Sequence, residues 1–458
     1  MTRAFVAALG LAAFAVNSRG EEAVVPLTVR PMPAPTPALK YQLLPELGEL
    51  KPGNAAQNYL KCFMEQRSFF FTKESAAKRG RYQTMPLADL PAEKLDGYGG
   101  SALRQADWAA RLDALDWQAL ERIQNGGVET LADELGPLQV LAAALQVRFR
   151  AEVAERHFDD ALRTAKTMLA LARHLGEHPT EVAALVGMGI AHLGLGTLEE
   201  MVQQPGCPNL YWALTDLPCP LVDLRKGVQG HGTMVAADLR SIRDDAPMSE
   251  IEMEEFVSHL SGMIGFAREQ AGQAPRNVRA GLRALVNNLE RARAARQRLV
   301  EAGYRPELVK LFPPMQAILV DEKRDYAIER DERMKRLAVP LWQIDPPAGG
   351  SERACETGGL FADLLPHTTK LGRARGRLEQ QIAILRHVEA LRLHAAVHNG
   401  KLPAKLSDIS VPLPVDPVTG QSFLYYVDGA TAHIRGSSLP GEDNDPGYSV
   451  HYQVTVQK

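Results

Sequence analysis

The stretch AEVAERHFDDALRTAKTMLALARHL, residues 151–175, predicts the fold class of this protein. Apolar or small residues recur along it at the three- and four-residue spacing of an amphipathic helix. These positions are Ala154, Phe158, Ala161, Ala165, Leu169 and Leu171. The pair Asp159–Asp160 falls where a second helix would begin, and carboxylates are favourable at the positive end of a helix. The stretch therefore predicts two helices joined by a tight turn.

A third helix is predicted over residues 181–203, because Pro179 suits the first turn of a helix. Gly187 and Gly189 lie inside this helix, where each lowers helix propensity by about 1 kcal/mol. Their presence indicates that another helix approaches closely. Successive helical hairpins of this kind are typical of an α-solenoid.

The turn in the opening stretch resembles that of a tetratricopeptide repeat, through Ala154, His157–Phe158 and Ala161. One unit matches and its neighbours are degenerate. Two architectures therefore stay open for residues 40–340, an α-solenoid and an irregular helical bundle. Helical spacing continues in residues 280–302 and 315–337, which extends the mostly α prediction across this region.

The C-terminal part of the chain changes from helical to mixed patterning. Residues 341–375 contain clustered prolines and glycines and predict a linker. Residues 376–458 predict a small α+β module, in which a long helix packs on an antiparallel sheet. The helix is expected at residues 376–399 and the strands at 423–427, 431–435 and 448–456, with Asp428–Gly429 as a hairpin turn.

Composition excludes several classes of protein. The 458 residues carry 52 basic and 55 acidic side chains, a net charge of -3, and 45% are hydrophobic. This apolar share excludes wholesale disorder, and the charge balance excludes a generally basic nucleic-acid binder. Four cysteines are too few for a disulfide scaffold.

The N-terminus predicts export from the cytoplasm. Arg3 precedes the apolar run Ala4–Val16, which is too short to cross a membrane and is typical of a signal peptide, assigned here to residues 1–23. Residues 24–39 are rich in proline and predict an exposed tether. The longest later apolar run, Val182–Ala191, predicts no integral membrane span after removal of the signal peptide. We therefore expect an extracytoplasmic protein, periplasmic or secreted.

An oxidising compartment permits a disulfide between Cys207 and Cys219, which would contribute roughly 3 kcal/mol by closing a short loop. The alternative is that both are small buried thiols.

The C-terminal module resembles the head of a type II secretion pseudopilin. A helix there is followed by a Gly-x-x-Pro turn at Gly400 and Pro403, a leucine-bearing segment, an Asp-Pro-x-x-Gly motif and an aromatic strand. The other matching residues are Leu406, Asp416, Pro417, Gly420, Phe423 and Tyr425. The helix is C-terminal and carries charged residues, so it cannot pack a filament as pseudopilin helices do. The helical region is similar to an uncharacterised group of exported bacterial tetratricopeptide-like proteins with this same tail, a resemblance that implies no activity.

Two metal sites are considered in this module. The acidic loop with Glu442, Asp443 and Asp445 is similar to the calcium-binding loop of some pseudopilin heads and supplies the oxygen ligands that calcium prefers. The alternative is an acidic turn exposed to water. His387, His394 and His398 share one helix face, and a solvated polar face explains them. The alternative is a transition-metal site at the pair His394/His398.

These features favour an exported, non-catalytic interaction protein that binds a protein or peptide partner in the cell envelope, without a cofactor other than calcium. Tyr211 and Trp212, between two proline-containing turns, predict an exposed partner-binding patch, with core anchoring as the alternative. Two other functions stay open. The head resemblance favours an accessory component of a type II secretion or pilus-like system, and an extracytoplasmic hydrolase with an unrecognised site is the third.

Overall fold

The computed structural model describes residues 24–130, 132–344, 359–438 and 450–457. It confirms a mostly α protein whose C-terminal part is an α+β region. The predicted signal peptide, at residues 1–23, lies outside the described residues.

The helices come in two groups along the chain. The first group is α1 Ala55–Glu65, α2 Arg67–Phe71, α3 Lys73–Thr84, α4 Gly100–Ala109, α5 Leu120–Gly126, α6 Leu135–Ala154, α7 Phe158–Gly176, α8 Glu181–Val202 and α9 Tyr211–Thr215. The second group is α10 Arg225–Asp238, α11 Glu250–Gln270, α12 Val278–Asn287, α13 Leu289–Glu301, α14 Pro306–Leu311, α15 Pro314–Arg336 and α16 Thr368–Val397. Short 3₁₀ turns at Leu47–Glu49, Leu87–Asp89, Ala92–Leu95, Gly127–Glu129, Leu239–Ser241, Leu341–Gln343, Ala362–Leu364 and Leu406–Asp408 connect them.

Helices α6, α7 and α8 form the predicted stack of three. The first turn of α7 carries Asp159 and Asp160, as the sequence predicts. Helix α8 begins where the Thr180 side chain accepts a hydrogen bond from the Ala183 amide, a common N-terminal cap. A Cβ atom on Gly187 would lie 2.7 Å from the Ala172 carbonyl oxygen of α7, so this glycine permits close helix packing. Gly189 faces open space, so the same explanation does not apply to it.

Helix α8 is longer than the ten-residue apolar run considered in the sequence. Its 22 residues have the length and composition of a membrane span, but most of that span is buried inside the protein. It packs against α7 on one side and α16 on another. The burial indicates a core helix of a folded domain.

Four strands form one mixed sheet in the order β1–β6–β5–β4. Three of them, β4 Leu424–Asp428, β5 Thr431–Arg435 and β6 His451–Val456, lie close to their predicted positions and pair antiparallel. The fourth, β1 Val24–Val29, comes from the predicted N-terminal tether and pairs in parallel with β6. The tether prediction is wrong for these residues because Leu27 and Val29 are buried against the core. A separate two-stranded sheet joins β2 Lys51–Asn54 to β3 Leu112–Ala114.

Helix α16 begins eight residues earlier than the sequence predicts, inside the segment assigned to a linker. It packs against α8, α9, α15 and β6, so polar residues along it are buried. Its burial gives the C-terminal module extensive contact with the helical region.

The hydrophobic core divides the chain differently from the predicted domain boundaries. One cluster of buried residues draws on residues 27–228 and again on 337–456, so the C-terminal sheet and the N-terminal helices share one core. A second cluster draws on residues 235–365. Residues 235–365 therefore form a lobe inserted into the first cluster, to which α16 also belongs.

Candidate functional site

The predicted aromatic patch is not exposed. Tyr211 is fully buried in α9, and its hydroxyl donates a hydrogen bond to the Pro412 carbonyl oxygen. Trp212 is half-buried and packs edge-to-face on Tyr211, with 5.0 Å between ring centroids. Hydrogen bonds from Asn209 to Glu389 and from Tyr211 to Pro412 hold this segment against the C-terminal module. The prediction of an exposed patch is therefore wrong for Tyr211, which matches the alternative of a core anchor.

The predicted disulfide is absent from the structure. Cys207 and Cys219 are both free thiols, Cys207 buried and Cys219 exposed. Burial raises the pKa of the Cys207 thiol to about 12, which keeps it protonated and unreactive. This matches the alternative of a buried thiol for Cys207 only.

The acidic loop with Glu442, Asp443 and Asp445 lies outside the described residues, so calcium binding stays a prediction from the sequence. Within the described residues, no group of three or more His, Cys, Asp or Glu side chains could hold a metal ion.

His387 and His394 in α16, and His398 directly after it, do not form one solvated face. His387 is 1% exposed, and its Nδ1 atom is hydrogen-bonded to the Ala383 carbonyl oxygen. Burial lowers the pKa of His387 to about 4, so its ring is neutral at neutral pH. His394 and His398 stack face to face at 3.8 Å between centroids. The solvated-face interpretation is therefore wrong for the buried His387, while a metal site at the pair His394/His398 stays a prediction from the sequence.

A hydroxyl, an imidazole and a carboxylate lie in a row at the start of α8. The Thr180 hydroxyl is 2.9 Å from His178 Nδ1, and His178 Nε2 is 3.1 Å from the Glu134 carboxylate. Although burial opposes it, hydrogen bonds from His178 and Arg122 lower the pKa of Glu134 to about 2. The Thr180 oxygen already caps α8, and His178 and Thr180 are both buried. The row therefore orders the start of α8.

A second polar network joins α4, α6 and α7. Arg148 forms a bidentate pair with Asp107 and donates to the Thr164 hydroxyl, which in turn donates to Glu152. Burial raises the pKa of Glu152 to about 7, although Arg148 opposes the shift. The four side chains are hydrogen-bonded to one another, so we assign the network a structural role.

Strand β4 forms one edge of the four-stranded sheet, and the described chain places no strand on its outer side. Leu424 is 71% exposed, Tyr426 45% and Val427 37%. The two-residue turn after Asp428 pairs that residue with Thr431. Backbone groups alternate between inward and outward along an antiparallel strand, so those of Tyr425 and Val427 point outward. Among the described residues this is an open edge, with apolar side chains beside peptide groups that no described residue pairs.

Strand β1 forms the opposite edge, and its outer side is closed. The Val29 carbonyl accepts a hydrogen bond from Gln457 on the β6 side, which turns Pro26 and Thr28 outward. Pro26 has no N–H to offer. The Thr28 amide donates to the Gln203 side chain at 3.1 Å. The outward positions of Pro26 and Thr28 therefore offer no free amide to a further strand, whereas no described residue accepts from the outward amides of Tyr425 and Val427.

Comparisons of the chain with protein-family models, curated proteins and solved structures find no match. The candidate site therefore rests on the geometry of β4. Sequence patterning predicted this strand but could not show that it lies at a sheet edge, because that depends on where β1 pairs. The one sequence signal is Pro26, since a proline within a strand pattern marks an edge.

Proposed function

We propose that this is an exported, non-catalytic interaction protein that binds an extended peptide segment of a cell-envelope partner along strand β4. The export part of the proposal rests on the N-terminal sequence. The binding part rests on one observation, the contrast in exposure and backbone pairing between β4 and β1. A peptide bound in this way adds a strand to the sheet through main-chain hydrogen bonds.

The side chains of β4 indicate the chemistry of the partner segment. Leu424, Tyr426 and Val427 offer apolar contacts, while Asp428 at the end of the strand adds a negative charge. A matching segment would be extended and rich in β-branched or aromatic residues, with a basic residue opposite Asp428.

Site-specific photo-crosslinking tests this proposal in cells. Tyr426 is replaced by p-benzoylphenylalanine, and Trp108, which is 48% exposed and lies on α4 outside the four-stranded sheet, is replaced in a matched control. We expect a discrete covalent adduct in the envelope fraction from position 426 and none from position 108. Val427→Pro in the same chain should abolish the adduct. An adduct that survives Val427→Pro, or none at position 426, contradicts the proposal.

A second candidate function is an accessory component of a type II secretion or pilus-like system. It is supported by the contacts of the residues on which the resemblance to a pseudopilin head rests. The Asp416 carboxylate accepts hydrogen bonds from Gln380, Val418 and Ser437 and so ties the loop to α16. The Tyr425 hydroxyl donates to the Pro403 carbonyl oxygen at 2.8 Å.

The structure also explains why the Asp-Pro-x-x-Gly motif ends in glycine. Gly420 has a φ of +68°, and a Cβ atom there would lie 2.7 Å from the Trp342 ring. The resemblance thus falls on residues that hold the head together. Recovery of a secretion-platform subunit in the Tyr426 adduct would select this function, and any other envelope protein would reject it.

A further inference from the structure

A cleft of about 460 Å³ lies in the second lobe, far along the chain from β4. One wall is a stripe of α15 at helical spacing, formed by Lys323, Tyr326, Ala327 and Arg330. The facing wall comes from the end of α10 and the turn after it. That wall is formed by Ala236, Leu239, Arg240, Ile242, Arg243, Asp244 and Asp245.

Positive charge is in excess in this cleft. Two carboxylates line it beside four basic residues: Asp245 pairs with Arg243, and Asp244 accepts a hydrogen bond from Tyr304 and interacts electrostatically with Lys323. Within the described residues, Arg240 and Lys323 form no ion pair. Lys323 is instead held in place by the carbonyl oxygens of Leu239 and Ile242, at 3.1 and 3.3 Å.

The cleft also contains a buried donor with no partner. Tyr326 is 7% exposed, and its hydroxyl makes no hydrogen bond with any described residue. Buried hydroxyls are almost always hydrogen-bonded. The Glu181 carboxylate interacts electrostatically with this hydroxyl without a hydrogen bond to it, so a group that enters the cleft can supply the acceptor. Beside it, Arg330 is fixed by Asp331 and lies over Gly232, where a Cβ atom would be 3.4 Å from its Cδ.

We propose that this cleft binds a small organic anion, independently of peptide binding at β4. The anionic group is held by Lys323 and Arg330 and accepts a hydrogen bond from the Tyr326 hydroxyl. The apolar part lies on the buried side chains of Leu239 and Ile242. The volume suits a ligand with one or two rings.

Calorimetric titration of the full chain with three probes tests this proposal. The probes are naphthalene-1-sulfonate, its neutral analogue 1-naphthylmethanol, and inorganic sulfate. We expect the sulfonate to bind at one site at least tenfold more tightly than either of the other two. Equal affinity for the neutral analogue, or tighter binding of sulfate alone, overturns the proposal.

Substitutions then locate the bound probe. Lys323→Met and Arg330→Met should each weaken sulfonate binding at least tenfold, and Tyr326→Phe should weaken it two- to fivefold. Lys335→Met, on another face of α15 and outside the cleft, is the matched control and should leave affinity unchanged. A melting curve for each variant checks that it is folded, and Tyr326→Phe, which removes one unpartnered oxygen, serves if a charge variant unfolds. Unchanged affinity in the folded cleft variants overturns the proposal.

Discussion

The two edges of the C-terminal sheet are built from opposite ends of the described chain and differ in what they leave unpaired. At β1, Pro26 lacks an amide hydrogen and Gln203 binds the Thr28 amide. At β4, the outward peptide groups of Tyr425 and Val427 face no described strand, and apolar side chains beside them are exposed. Proteins commonly block sheet edges to prevent unwanted strand addition, and this protein does so at β1. The absence of such a block at β4 is therefore the observation that favours binding there.

The largest expected effect concerns Arg392, which anchors the chain that follows β1. Its guanidinium donates to both Glu389 oxygens and to the carbonyl oxygens of Arg30, Cys207 and Pro208. Arg392→Met leaves the buried Glu389 carboxylate without its cationic partner, so the free energy of unfolding should fall by about 3–5 kcal/mol. Urea denaturation measures this change.

Two further variants sharpen that result. Arg293→Met breaks an exposed pair with Glu290 and should cost less than about 1 kcal/mol. Adding Glu389→Leu to Arg392→Met should recover part of the loss, because the orphaned charge is removed. If the free energy of unfolding falls by a similar amount in the Arg293 and Arg392 variants, the buried Arg392 contributes no more to stability than an exposed ion pair.

A drop in pH should lower the free energy of unfolding through His387. The ring of this residue packs edge-to-face on Phe423, the residue before β4. Its folded pKa is about 4, below the value of roughly 6.5 in an unfolded chain. Between these values the unfolded chain binds a proton that the folded protein does not. The free energy of unfolding should therefore fall as pH drops from 6.5 to 4, by on the order of 3 kcal/mol for this residue.

The His387→Gln variant isolates this contribution, with unfolding measured at pH 7.5 and pH 4.5. Burial also lowers the pKa values of His174 and His192 to about 4, so part of the pH dependence should remain. An unchanged pH dependence in the variant would contradict the burial of His387.

Gln203 tests the closure of the β1 edge directly. Gln203→Met keeps the length of the side chain and removes the acceptor of the Thr28 amide, so the free energy of unfolding should fall by about 1 kcal/mol. Gln204→Met is the matched control, since Gln204 caps its own helix end and does not touch the strand. Equal losses in both variants would remove the argument for a closed edge.

Val427→Pro should have the smallest effect on stability, less than about 1 kcal/mol, because an outward amide on an edge strand is not needed by the sheet. Ala432→Pro in the central strand β5 removes a ladder hydrogen bond and should cost considerably more. Thermal melts of both variants provide the comparison, and a large loss with Val427→Pro would show that this amide is already paired.

The elements that the sequence predicted correctly are those specified by local patterns. The 3.6-residue spacing in residues 151–175 and the Asp428–Gly429 turn are signals within a few residues, and α7 and the β4–β5 hairpin follow them. The pairing of Val24–Val29 with His451–Val456 joins segments more than 400 residues apart, and prolines obscured the strand. The burial of Tyr211 likewise depends on Pro412, 201 residues away.

The central claim is that β4 is an open edge while β1 is a closed one. Amide hydrogen exchange resolved to single residues tests this claim most directly. In the isolated protein, the Val427 and Tyr425 amides should exchange at close to their intrinsic rates, while the Thr28 amide should exchange slowly. Addition of the peptide segment identified by crosslinking at position 426 should then protect Val427 and Tyr425 alone. Protection of Val427 equal to that of Thr28 in the isolated protein would contradict the account.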